Sequence, residues 1–182
     1  MRNLLRKPIV LVGMMGSGKS TIGKRLAYKL NLQFYDSDKI IEDRDGLSVL
    51  DIYDYRGEEY FREQEEKTIR EVLQYGVVVL STGGGSFFKE DVRKLIKEKA
   101  ISIWLKTNVE TIHERISRRN TRPIQDHNIE TIQKLVDEGD DIYGKADITV
   151  ESSDMEAHFV VDTIMGKLKT YLEANEKKLA SN

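Results

Sequence analysis

The stretch Gly13-Met14-Met15-Gly16-Ser17-Gly18-Lys19-Ser20-Thr21 decides how the rest of this chain is read. Two glycines five positions apart, followed by Lys and a hydroxyl residue, form the pattern of a loop that wraps phosphates. The chemistry requires that spacing. Glycines let backbone N–H groups turn inward, and a helix starting at the end of the loop brings its positive pole. Lys19 then reaches the β- and γ-phosphates, and the Ser20 hydroxyl ligates Mg²⁺. A plain glycine turn is the competing reading, and the surroundings disfavour it. The apolar run Ile9 to Val12 comes directly before the loop, and Ile22, Leu26, Ala27 and Leu30 follow at helical spacing on one face.

Four further apolar runs, Leu32 to Tyr35, Val77 to Leu80, Ile101 to Leu105 and Ile148 to Val150, alternate with amphipathic stretches. That alternation predicts β-α units around a buried parallel sheet. Glu58 to Tyr75 reads as one long surface helix, with Phe61, Ile69, Val72 and Leu73 on its apolar face. Val161, Ile164, Met165, Leu168 and Leu172 predict a last helix capped by Asp154 and frayed past Ala174. Lys39 to Tyr60 and Arg118 to Glu130 fit the alternation poorly and are expected to be mobile.

At 182 residues the chain is expected to form one domain spanning 1–182. Hydrophobic residues at 39%, charged residues at 33% and only two prolines exclude collagenous and disordered classes. The 29 Lys and Arg against 31 Asp and Glu are too balanced for whole-surface attraction to nucleic acid or anionic lipid, so a polyanion site must be local. The lack of cysteine rules out disulfides, thiolate metal sites and a cysteine nucleophile, and fits a reducing compartment. No apolar run approaches the ~18 to 20 residues of a membrane span, and Arg2, Arg6 and Lys7 precede a run too short for a signal peptide. The N-terminus is therefore expected to stay in the fold.

On the acceptor side, Asp36-Ser37-Asp38 follows the second predicted strand. Residues two apart in extended backbone point the same way, so both carboxylates are expected to face one site beyond the strand's carboxyl end. One can hold Mg²⁺ through water while the other accepts a proton from an attacking hydroxyl. The simpler alternative is that these residues only cap a helix. Arg62 and Glu65, at i,i+3, can present an anchored guanidinium to a substrate carboxylate or hydroxyl. Gly83-Gly84-Gly85, after another strand, permits a ligand close to the backbone. Arg115, Arg118, Arg119 and Arg122 gather before Pro123, as a cationic lid over ATP would need, or as an ordinary basic helix end.

Taken in order, the phosphate loop, Phe34-Tyr35-Asp36-Ser37-Asp38, Gly57-Glu58 with Phe61-Arg62 and Glu65, Ser81-Thr82-Gly83-Gly84-Gly85 and Arg122-Pro123 resemble shikimate kinases from about Ile9 to Val150. The resemblance implies an α/β P-loop NTPase fold, a three-layer sandwich with a five-stranded parallel sheet like that of nucleoside monophosphate kinases. It also implies an acceptor-binding insertion at 37–65 and a mobile lid at 116–130. The implied activity is Mg²⁺- and ATP-dependent phosphorylation of the 3-hydroxyl of shikimate by a cytoplasmic monomer of aromatic amino acid biosynthesis. No nucleic acid or membrane partner is implied. By the same resemblance Lys19, Asp38 and Arg122 are catalytic. Gly13, Met14, Met15, Gly16, Ser17, Gly18, Lys19, Ser20 and Thr21, with Arg115 and Arg122, bind nucleotide. Asp38, Arg62, Gly83, Gly84 and Gly85 bind substrate, and Ser20 and Asp36 bind the metal.

One departure stands out. The family commonly carries Arg-x-Pro-Leu-Tyr, whose Arg grips the shikimate carboxylate, where this chain has Gly139-Asp140-Asp141-Ile142-Tyr143. A lost charge-assisted contact is worth ~1.5 to 3 kcal/mol, so shikimate is expected to bind weakly unless Arg62 or Lys145 compensates. On that reading Gly139→Arg lowers the shikimate KM. The alternatives are a kinase for another sugar acid or polyol, such as gluconate, and a nucleotide-binding regulator with reduced catalysis. A nucleic-acid-binding NTPase lacks the basic stripe with interleaved aromatics. His113, His127 and His158 lack metal-ligand spacing, and Tyr143 and Trp104 are expected to pack.

Overall fold

Alternation along β1 (Ile9–Val12) sends Ile9 and Leu11 into one apolar cluster and Val10 and Val12 into another, all fully buried. A strand buried on both faces belongs in the middle of a covered parallel sheet. The computed structural model, which describes residues 4–117, 128–153 and 155–180, puts it there. Five parallel strands run in the order β2-β3-β1-β4-β5, with β2 at Phe34–Asp36, β3 at Val79–Ser81, β4 at Ile101–Lys106 and β5 at Ile148–Glu151.

Helices cover both faces, which gives three layers. On one side lie α1 (Lys19–Leu30) and α7 (Ala157–Ala180), whose Leu26, Val161, Ile164 and Leu168 pack on Ile9, Leu11 and Ile103. On the other lie α3 (Val49–Val72), α4 (Glu90–Lys99), α5 (Val109–Ser117) and α6 (Ile129–Tyr143), which bring Ile69, Ile96, Ile112 and Ile132 to Val10, Val12 and Leu80. The expected α/β sandwich is thus observed, and each predicted strand lies within two residues of its place.

Three expectations change. Lys39 to Tyr60 is mostly helical: α2 (Ser37–Asp45) and both parts of α3 enclose a small core of Ile41, Val49, Ile52 and Phe61. A capping box between Ser48 and Asp51 starts α3, and the helix breaks at Gly57, whose φ of 83° and ψ of 165° are not helical. The predicted single helix from Glu58 is therefore the second half of a broken one. At the C-terminus α7 continues to Ala180 instead of fraying at Ala174. The proposed cap Asp154 and the lid residues Arg118, Arg119, Arg122 and Pro123, with His127, lie outside the described residues.

Because β2, β3 and β1 are adjacent and parallel, their carboxyl ends sit along one edge of the sheet. Three segments far apart in sequence emerge there side by side: Asp36–Asp38 after β2, Gly83–Gly85 after β3 and the phosphate loop after β1.

Candidate active site at the carboxyl edge of the sheet

The phosphate loop turns through Gly16 and Gly18 at φ 78° and 91°, a region that a side chain rarely enters. Gly18 precedes α1 and offers no capping side chain, so the first-turn N–H groups keep their donor capacity at the positive end of the helix. Lys19 folds back into the loop, its Nζ donating to the carbonyls of Gly13 at 2.8 Å and Met14 at 2.9 Å. From α5, the Arg115 guanidinium donates to the Gly16 carbonyl at 3.0 Å and so lies across the loop. These groups line a cleft of about 450 Å³ that also takes in Ser20, Thr21, Asp36 and Asp38.

Asp36 has two tasks. Its Oδ2 accepts from the Ser20 hydroxyl at 2.5 Å, and its Oδ1 accepts from the backbone N–H groups of Asp38 and Lys39 at 3.2 and 3.4 Å, capping α2. The capping reading of this residue holds. The reason given for pairing it with Asp38 does not, because the strand ends at Asp36 and Asp38 lies in the first turn of α2. The two carboxylates still share one cleft, brought there by the strand-to-helix turn. A hydroxyl and a carboxylate meeting at one point are hard oxygen donors of the kind Mg²⁺ takes, and Mg²⁺ ordinarily adds phosphate oxygens and water to one or two such groups. Ser20 and Asp36 therefore fit the ion.

Arg62 and Glu65 pair as their spacing predicts, Nη1 to Oε2 at 3.0 Å, and Glu58 holds the other side of the guanidinium at 3.2 Å. Glu65 is only 1% exposed, which the i,i+3 spacing did not announce. Tertiary structure buries it: Gly83 comes so near that a side chain there would collide with Glu65 Oε1 and start 2.9 Å from Asp38 Oδ1. Ser37 adds a contact absent from the sequence reading, its hydroxyl accepting from the Gly83 N–H at 3.1 Å. The guanidinium of Arg62 lies directly on Gly85, where it too leaves no room for a side chain.

Burial, and then the charge of Asp38, push the Glu65 carboxyl up from its ordinary value of 4.5, against the pull of Arg62. A carboxyl raised by folding contributes stability at low pH and loses it as pH rises through the raised value. Glu65→Gln removes that titration. The urea midpoint of the wild type, relative to the variant, is therefore expected to fall as pH is raised from about 4 to 8. A pH-independent difference between the two contradicts the burial argument.

Comparison with known sequences bears on what this edge does. Residues 15–169 match the profile described as Shikimate kinase. The chain belongs to the shikimate kinase family. A shikimate kinase of Rhodopseudomonas palustris is 42% identical over 168 residues, covering 91% of this chain and 83% of its own. One from Sulfurihydrogenibium sp. is 39% identical over 163 residues, covering 90% and 98%. Among solved structures, the shikimate kinase of Acinetobacter baumannii in complex with shikimate superposes with a TM-score of 0.86 at 33% identity, covering 90% of this chain and 93% of that one.

Against the shikimate kinase pattern, the departure at Gly139 takes a definite form. Gly139 lies inside α6, and a Cβ there would stand 2.8 Å from Cε2 of Tyr143. An arginine would have to displace that ring, so the gain expected from Gly139→Arg does not follow from the geometry. Lys145, just past the end of α6, is exposed. Arg62 is the cation that the described residues place against the glycine loop. Trp104 and Tyr143 are buried as expected, but Tyr143 also uses its hydroxyl, a contact that its aromatic character did not signal. Among the described residues no group of three or more His, Cys, Asp and Glu is placed to hold a metal ion.

Proposed function

We propose that this chain transfers the γ-phosphoryl group of ATP to the 3-hydroxyl of shikimate. The observation that supports this most directly is that Asp38 and Lys19 line one cleft, the carboxylate toward the Arg62 and Gly83–Gly85 side and the ammonium inside the phosphate loop. An acceptor on the glycine loop would thus meet a nucleotide held by Gly13 through Thr21.

In this reading the loop N–H groups and Lys19 bind the β- and γ-phosphates, and Arg115 sits at the nucleotide's base side. Ser20 and Asp36 hold Mg²⁺. The ion supplies charge neutralisation on the phosphates when bound. Asp38 accepts the proton of the 3-hydroxyl as its oxygen bonds to phosphorus and the bond to the β-phosphate oxygen breaks, releasing ADP. Arg62, held by Glu58 and Glu65, binds the acceptor with the backbone of Gly83, Gly84 and Gly85. Arg122 adds positive charge over the transferring group. Residues 1–182 act as one kinase domain, with 37–65 serving the acceptor and 116–130 closing over ATP, in a cytoplasmic monomer without nucleic acid or membrane partners. No described helix is long and apolar enough to cross a membrane.

The test is coupled ADP release with shikimate, gluconate and nucleoside monophosphates at millimolar concentration. Turnover with shikimate alone is the expected result, with a KM raised by the lack of a second arginine. Turnover confined to gluconate or a nucleotide overturns the acceptor assignment, and no turnover with any acceptor overturns the kinase reading.

A further inference from the structure

The last residue of α6, Tyr143, is 2% exposed and sits among aromatic rings: Phe87 and Trp104 stack with it at 6.3 and 6.0 Å between centroids, and Phe88 meets it edge-on at 5.6 Å. Its ring edge presses on Gly139, one turn earlier, which only a residue without Cβ permits. So placed, its hydroxyl donates to the carbonyl of Gly84. Burial, and the nearby charge of Glu65, keep that hydroxyl protonated and hence a donor.

Gly84 is also where the glycine loop touches the phosphate loop, since a Cβ there would stand 3.0 Å from the backbone nitrogen of Met15. A trans peptide is planar, with C=O and N–H on opposite sides, so whatever holds the Gly84 carbonyl also aims the Gly85 N–H. The Gly83 N–H is taken by Ser37. Among the described residues nothing accepts from the N–H groups of Gly84 and Gly85. They are donors left over for something else, on the loop over which Arg62 lies.

We propose that Tyr143 is a positioning residue for the acceptor. Its hydroxyl fixes the Gly84–Gly85 peptide so that the free Gly85 N–H stays presented to the substrate beside Arg62, next to that of Gly84. This rests on the reading of the glycine loop as an acceptor contact. It also gives Gly139 a purpose within this chain, as the gap that lets the ring reach the loop.

The decisive variant is Tyr143→Phe, which keeps the ring and its three aromatic neighbours and removes one hydrogen bond. The KM for shikimate is expected to rise about tenfold while the KM for ATP stays within about twofold. Measured without ligand, the ¹⁵N order parameters of the Gly84 and Gly85 amides should fall from the ~0.85 of rigid backbone toward ~0.6, with the strands unchanged. Gly139→Ala, which keeps the hydroxyl but crowds the ring, should move both readings the same way. Unchanged order parameters in folded Tyr143→Phe overturn the proposal, as does loosening of the loop with no change in shikimate KM. A parallel loss for both substrates, with order lost across the sheet, marks a merely structural role and also overturns it. Failure of the wild type to turn over shikimate strikes the acceptor assignment instead, and the ligand-free order parameters then decide on Tyr143 by themselves.

Discussion

Lys19→Met is expected to lower kcat by about 10² to 10³, because it deletes a fixed positive charge at the phosphates where charge develops in the transition state. The methionine side chain has nearly the same length and fills the same buried space. What the fold loses is the pair of hydrogen bonds from Nζ to the Gly13 and Met14 carbonyls. The carbonyls are buried, but Lys19 itself lines the cleft, so water entering from there can take over part of what the ammonium gave. Thermal unfolding should therefore shift by only a few degrees. Turnover and melting need to be measured on the same preparation. Activity within about tenfold of wild type contradicts the role given to Lys19.

Asp38→Asn should lower kcat by about 10² or more with the KM for ATP little changed, since it removes a proton acceptor and keeps the shape of the side chain. Asp38 is 8% exposed and lies against Gly83, so a bulkier replacement would confuse packing with chemistry. Asp36→Asn is the control. Asp36 meets Ser20 and caps α2, and Asn caps a helix about as well as Asp, so the substitution should raise the Mg²⁺ concentration needed for half-maximal rate and leave stability within about 1 kcal/mol. If both substitutions change only the Mg²⁺ requirement, Asp38 is not the base.

The contrast between these two residues shows how far the sequence could be read. The phosphate loop was legible because a backbone cradle demands a particular residue at nearly every position, all within nine neighbours. The strands were legible because a strand covered on both faces is a continuous apolar run, as at Ile9 to Val12. Asp36 and Asp38 do face one cleft, but not through the extended backbone that the sequence reading gave as the reason. Asp-Ser-Asp suits a strand end and a helix cap equally, and the helix began two residues earlier than the extended reading required. The helical insertion was missed although its signals, Ser48 with Asp51 and Gly57 as a break, were present in the sequence. Nothing local could show that Glu65 is buried, because the group that covers it, Gly83, arrives from another strand. Tyr143 was rightly read as a packing residue, but which carbonyl its hydroxyl reaches depends on how α6 lies over the loop.

The strand order has a consequence for the chain as it is made. β1 ends at Val12, yet the strands that flank it, Val79–Ser81 and Ile101–Lys106, are translated far later. β2, next in sequence, bonds only to β3. At ~5 to 20 residues per second, the most apolar strand and the nucleotide loop attached to it wait roughly 5 to 20 seconds for both neighbours. For that interval the nascent protein carries an unpaired sticky segment, so the central strand that makes the finished sheet secure is also the one most in need of a chaperone during synthesis.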